Sequence, residues 1–207
     1  MHRENVDTLE YGINFQDLYL TNLNISLRNF SIVADTIGFT INKMSFADKS
    51  GFAVDKFRTD MSFTSKFMNF DKLQIRSMGY SVNLPTLHMS YSGWEDMSDF
   101  LNQVKLNGSF QSTKASTGLL SYFVPVLRQF DLDFSLNGSF KGTVSDLRVR
   151  DMQITTAEST SLNFNANLTG LPDFNNTLVF LDIKELTTTV QDIESIKNKK
   201  TGLPMVS

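Results

Sequence analysis

The strongest constraint on this chain is an alternation of apolar and polar residues that recurs almost from end to end. Leu23, Ile25 and Leu27 alternate with Asn24 and Ser26, and Ile37, Phe39 and Ile41 with Gly38 and Thr40. Met61 and Phe63, Leu73 and Ile75, Val82 and Leu84, and Leu87, Met89 and Tyr91 continue it. In the second half Leu132, Phe134 and Leu136 alternate with Asp133 and Ser135, and Leu162, Phe164, Ala166 and Leu168 with three asparagines; Leu147 and Val149, then Met152 and Ile154, complete the set. A period of two sends successive side chains to opposite faces of a sheet. One dry and one wet face per strand is the signature of antiparallel pairing, so the chain reads as mainly β. Roughly a dozen one-sided strands must bury their dry faces in a sandwich, a closed barrel or one long sheet folded over its own apolar side.

Two segments break the period. Ser92 and Glu95 have capping-box spacing, and Trp94, Met97, Phe100, Leu101 and Val104 follow at steps of three and four, predicting a short helix over 94–104. Leu119, Leu120, Phe123 and Leu127 predict a second over 116–127, ended or kinked by Pro125. These helices are expected to cap an open sheet edge. Residues 18–193 then form a single elongated β domain between a leader, 1–17, and a flexible basic tail, 194–207. The runs Leu106-Asn107-Gly108-Ser109-Phe110 and Leu136-Asn137-Gly138-Ser139-Phe140 are identical, which suggests either stacked repeat units or two similar turns.

The composition narrows the chemistry. With 41% hydrophobic and 20% charged residues and a net charge of −3, the 207-residue chain fits neither a disordered tail nor a basic nucleic-acid binder. It has no cysteine, which excludes disulfides, thiolate metal sites and thiol catalysis. The two histidines, His2 and His88, offer no metal site or nucleophilic pair, and His88 is expected on a solvent face. Asp131 and Asp133 share a strand face and Glu95, Asp96 and Asp99 cluster at a helix start, but solvated charges and the helix dipole explain them. No phosphate loop, nucleophile elbow or dinucleotide fingerprint occurs, so neither catalysis nor a cofactor is expected. The first ten residues lack the apolar run of a signal peptide, and no stretch has the length of a membrane span. Read literally this is a cytoplasmic chain; the alternative is a segment of a longer one. The 18 phenylalanines, about twice the usual share, and nine methionines occupy dry positions, suited to a wide core or to an apolar groove for a flexible hydrocarbon ligand.

Several runs resemble a known family. Met44-Ser45-Phe46-Ala47-Asp48-Lys49-Ser50-Gly51-Phe52, Leu73-Gln74-Ile75-Arg76-Ser77 and Met97-Ser98-Asp99-Phe100-Leu101-Asn102-Gln103-Val104 are similar to the large TamB-type proteins of Bacteroidetes, relatives of the AsmA family. So are Leu120-Ser121-Tyr122-Phe123-Val124-Pro125, the run from Asn137 to Leu147, and Gly170-Leu171-Pro172-Asp173. The resemblance implies an internal segment of a periplasmic protein tethered to the inner membrane, with the sheet curled into a groove called a β-taco. It implies phospholipid transport to, or protein assembly in, the outer membrane, with phospholipid acyl chains and an outer-membrane barrel of the BamA type as partners. The expected lining is Ile37, Phe39, Ile41, Phe63, Ile75, Val82, Leu84, Leu132, Phe134, Leu136, Phe164 and Leu168. Unprotected sheet edges also raise the expectation of self-association. The rival reading is an extracellular β-sandwich binding glycan or protein, against which the lone Trp94 counts.

Overall fold

The computed structural model describes residues 12–13, 17–156, 159–173 and 176–195. The alternating segments form ten strands: β1 (Leu20–Val33), β2 (Thr36–Asp48), β3 (Ala53–Phe63), β4 (Phe67–Ser77), β5 (Tyr80–Ser90), β6 (Lys105–Ser116), β7 (Asp133–Gly142), β8 (Asp146–Thr156), β9 (Ser161–Thr169) and β10 (Leu178–Thr187). Their order in space is their order in sequence, and every neighbouring pair is antiparallel. The result is one open sheet, not closed into a barrel. Among the described residues no second sheet faces it, so the sandwich alternative is not realised. The strands are fewer than the alternation suggests because separate apolar runs, such as Val82 and Leu84 with Leu87 and Met89, or Leu147 and Val149 with Met152 and Ile154, belong to one long strand.

The predicted helices are present but broken. The first is a 3₁₀ turn, Trp94–Asp99, running into α1 (Phe100–Gln103); the second is α2 (Thr117–Leu120), then a 3₁₀ turn, Pro125–Gln129. The Ser92 and Glu95 capping box does not form, since the Ser92 N–H donates to Asp96 at 2.6 Å instead. Pro125 opens the second turn, because its fixed φ and missing N–H suit a first helical position. A third helix, α3 (Val190–Ser195), follows β10; its six residues give no hydrophobic period to read. Neither predicted helix lies along a sheet edge. Both connect central strands, at opposite ends of the sheet.

The repeated Leu-Asn-Gly-Ser-Phe runs are neither stacked units nor turns. They lie on adjacent strands β6 and β7 and pair with each other, Gly108 opposite Phe140, Ser109 opposite Ser139 and Phe110 opposite Gly138. The Phe140 ring covers Gly108, whereas Gly138 is met by Met152 from β8, and the two rings meet with centroids 5.1 Å apart. A Cβ on Gly108 would come within 2.7 Å of the Phe140 ring, so the glycine makes room for the aromatic. Identical runs meeting antiparallel give a local two-fold relationship.

Pro85 sits inside β5, a central strand, where it has no N–H to give the ladder. The β5–β6 pairing runs from Leu87 to Ser90 and is met again at Ser81 with Lys114, with no paired residues between. Side chains bridge the interval: the Asn83 N–H donates to the Thr113 hydroxyl at 2.9 Å, that hydroxyl donates to the Asn83 carbonyl at 3.2 Å, and the Asn83 amide donates to the Ser112 carbonyl.

Asp48 ties the start of the sheet to the β2–β3 turn, accepting from the N–H groups of Tyr19 at 3.0 Å and Ser50 at 2.8 Å. Burial alone would raise its carboxyl pKa, but the hydrogen bonds from Ser50, Tyr19 and Lys49 override this and hold it below the usual value. A depressed folded-state pKa gives stability that is present above the unfolded value of about 3.9 and lost as the pH falls through the folded one. Replacing Asp48 by Ala is expected to cost about 1–3 kcal/mol at pH 7 through unsatisfied donors. Urea melts at pH 7 and pH 3 check this, the gap between wild type and variant narrowing at the lower pH.

Candidate functional site

Residues directly opposite in an antiparallel ladder share a face, so the register can be followed across the whole sheet. Starting at Ile32 on β1, the opposed residues are Ile37, Phe63, Met68, Met89 and Leu106 on β2 to β6. They continue through Gly142, Leu147 and Leu168 to Val179 on β10. A single apolar row therefore crosses all ten strands, interrupted only by a glycine. A second row runs from Phe39 through Met61, Phe70 and Leu87, past Gly108, to Phe140, Val149, Ala166 and Leu181.

Between these rows and the other half of the sheet, the register slips at a common level. Shifts fall between Ser26 and Leu27, Ile41 and Met44, Arg58 and Asp60, Phe110 and Thr113, Asn137 and Ser139, Val149 and Met152, and Ile183 and Glu185. Lys72, Ser112 and Asp151 take left-handed φ of 53°, 47° and 48° at this level. Asparagines on the neighbouring strands satisfy two of these residues: the Ser112 N–H donates to Asn137 at 2.7 Å and the Asp151 N–H to Asn165 at 2.9 Å. A bulge bends its strand and increases its twist, so a row of bulges bends the sheet along one line.

Burial follows that line. Leu73, Leu84 and Met152, at 4%, 5% and 7% exposure, are among the most hidden apolar strand residues, and all sit at the bulge row. A flat sheet could not hide them; neighbouring side chains must lean over them across a concave bend. Away from the line and from the strand ends most of the large side chains of the sheet are only half-buried. The side chains that are fully buried are the small ones of Val104, Thr59, Thr113 and Ser121, and the best-buried phenylalanine described, Phe52, retains 9%. The phenylalanine excess therefore does not fill a closed core. It lines a trough.

Each helical connection stands on one rim of this trough, at one end of the strands. At one end Phe52, Val54, Ala115, Leu119 and Ile13 form a cluster joined by Phe57, Tyr80, Tyr122 and Phe134. Ile13 is anchored by its N–H to the Tyr122 carbonyl at 2.9 Å, so the packed body begins ahead of residue 18, inside the expected leader. Most of that leader and of the expected tail, 194–207, lies outside the described residues. At the other end Trp94 meets Phe63 edge-on, centroids 6.0 Å apart, and Tyr91 at 5.4 Å. The Tyr91 hydroxyl, its pKa raised by burial, donates to the carbonyls of Thr64 and Phe67 and holds the β3–β4 turn under the Trp94 connection.

Eleven of the twelve expected lining residues lie on strands of this sheet, and their opposed pairs are apolar in most cases: Ile37 with Phe63, Ile75 with Val82, Leu84 with Leu73, Phe134 with Ala115 and Leu136 with Ile154. Ile41 and Leu84 are buried at the bulge row, so they form floor, not open lining. Leu132 precedes β7 and belongs to the α2 connection, exchanging hydrogen bonds with Thr117. Alternation alone placed it on the strand. The residues that sequence reasoning missed are Met68, Phe70, Leu106, Phe110 and Phe140, which the register inserts between expected ones.

The polar candidates go elsewhere. Asp133 accepts from the Tyr80 hydroxyl at 2.7 Å, while Asp131 lies outside β7, so the two do not form a pair on one strand. His88 is half-buried, hydrogen-bonded through Nδ1 to Asn69 and stacked on Phe67. Among the described residues no group of three or more His, Asp or Glu side chains could hold a metal ion, and no helix is long and apolar enough to cross a membrane. No protein-family model, curated protein or solved structure matches the chain.

Proposed function

We propose that the open apolar face is a trough for the acyl chains of lipids, and that the chain is a β-groove segment of the TamB and AsmA type, working in the periplasm to move phospholipid or assist outer-membrane assembly. The reading is carried by the row from Ile32 to Val179, apolar through nine of ten strands, exposed at its two ends and half-buried between them with no second sheet over it among the described residues. At about 4.8 Å between strands its nine intervals span about 43 Å. An extended acyl tail fills half of a bilayer's ~30 Å hydrocarbon core, so the row offers room for nearly three tails in line. Each buried CH₂ contributes ~0.8 kcal/mol before the costs of ordering, enough to hold a tail without bond chemistry. A lipid can move along such a row by small displacements, because neighbouring positions are chemically alike. Its headgroup stays in water above the trough.

Native mass spectrometry and lipid extraction of protein purified without detergent test this reading. Phospholipid is expected on the protein at close to one or more per chain. Protein that carries none, and takes up no fluorescent phospholipid from vesicles, would overturn it.

A further inference from the structure

The two edges of the sheet are unlike each other and fit each other. β1 and β10 are exposed along their whole length, and each has one described strand partner, β2 and β9. Edge strands usually carry prolines, several lysines or short lengths that discourage pairing. Here they are 14 and 10 residues long, and apolar side chains such as Phe30 and Val179 stand more than half exposed. Among the described residues the outer edge of each has no strand on it, so its backbone donors and acceptors are presented to any strand that can match its register.

We infer that β10 of one copy of this chain pairs antiparallel with β1 of a second copy, head to tail, extending the sheet. Continuing the row that already joins Ile32 to Val179 through the sheet sets Val179 of one copy opposite Ile32 of the next and Leu181 opposite Phe30. The two strands then slip one after the other, β1 between Arg28 and Ser31 and β10 between Ile183 and Glu185, so the one offset cancels the other. Past the slips, Ile183 meets Leu27 and Leu186 meets Ile25, so the apolar face runs on across the junction and the bend is preserved.

Charge selects this pairing over the symmetric ones. Arg28 is the one charged side chain of β1. β10 carries Asp182, Lys184 and Glu185, and Lys184 is already paired with Asp151 at 2.6 Å, leaving an acidic edge. In the head-to-tail register Asp182 falls level with Arg28. Pairing β1 with β1 would set arginine near arginine, and β10 with β10 acid near acid, which is unfavourable across a ladder. A head-to-tail contact does not consume both edges of either partner, so association is open-ended.

Sedimentation of two blocked variants in lipid-free buffer tests this independently of what the trough carries. One variant holds Ile25→Lys and Ile32→Lys on β1, the other Val179→Lys and Leu181→Lys on β10; all four side chains are more than half exposed, so the fold is retained, as circular dichroism verifies. The wild type is expected to grow with concentration, each variant alone to be monomeric, and an equimolar mixture to form a dimer and nothing larger. Self-association of either variant, a monomeric mixture, or a wild type that stays monomeric would overturn the inference. Arg28→Glu and Asp182→Arg provide a gentler check: each alone is expected to weaken association by up to about fivefold and the double variant to restore it. Failure of restoration would equally count against the pairing.

Discussion

Replacing Met89 by Asp is expected to cut the lipid recovered with the protein by at least tenfold. Met89 lies at the middle of the ten-strand row, between Met68 and Leu106, and is half-buried with no second sheet over it among the described residues, so a carboxylate there faces the trough without being forced into a closed core. Bringing an acyl tail over that carboxylate strips its water. A charged residue inside hydrocarbon costs about 2.5–3.5 kcal/mol on insertion scales, and 1.4 kcal/mol is a tenfold change in binding. The control is Gln74→Glu, an added carboxylate on an exposed outer-face position opposite Arg58, which is expected to leave lipid content unchanged. Urea melts establish that both variants fold. Wild-type lipid content in Met89→Asp, measured by extraction and mass spectrometry, would remove the row from any role in binding.

The largest effect on stability is expected from Gly142→Ala. Gly142 closes β7, interrupts the same apolar row and holds a φ of +130°, a region that side-chain-bearing residues rarely enter. A Cβ there would lie 2.1 Å from the Asp146 carbonyl oxygen, a backbone atom that cannot yield without opening the β7–β8 turn. Backbone strain and the clash together are expected to cost about 3 kcal/mol or more. Gly79→Ala separates the two contributions. Its φ is +88° but nothing lies within 4 Å of the new atom, so it carries strain alone, about 1 kcal/mol. Equal denaturation midpoints for the two variants would show that the clash does not matter.

How much of this was legible in the sequence can be argued residue by residue. The alternation of Leu162, Phe164, Ala166 and Leu168 gives both the strand and its dry face, because a regular strand obeys period two. At the bulge row that rule fails in a readable way. Phe70 and Leu73, Phe110 and Thr113, and Val149 and Met152 are three apart where two would be regular, and each interval holds a left-handed residue. Read as broken alternation, the interval hides a bend; the repetition at positions 72, 112 and 151 is the signal that reveals it. The identical runs at 106–110 and 136–140 were visible, but their antiparallel meeting depends on register, which a chain without its pairing partners does not display. The open trough was the least legible feature of all. Periodicity assigns a dry face to each strand, and only the count of sheets decides whether that face is covered.

The proline in β5 has a mechanical consequence. A hydrogen-bonded ladder resists splaying because every rung must stretch together, whereas between Ser81 and Leu87 the load passes through the Asn83 and Thr113 side chains. Compliance is thereby concentrated at the β5–β6 line, which divides the sheet into two leaves of five strands each. Turning of the leaves about this line bows the trough along its length without breaking a ladder elsewhere. The apolar row can in this way run straight or curved in one and the same sequence, much as an open book flexes about a soft spine.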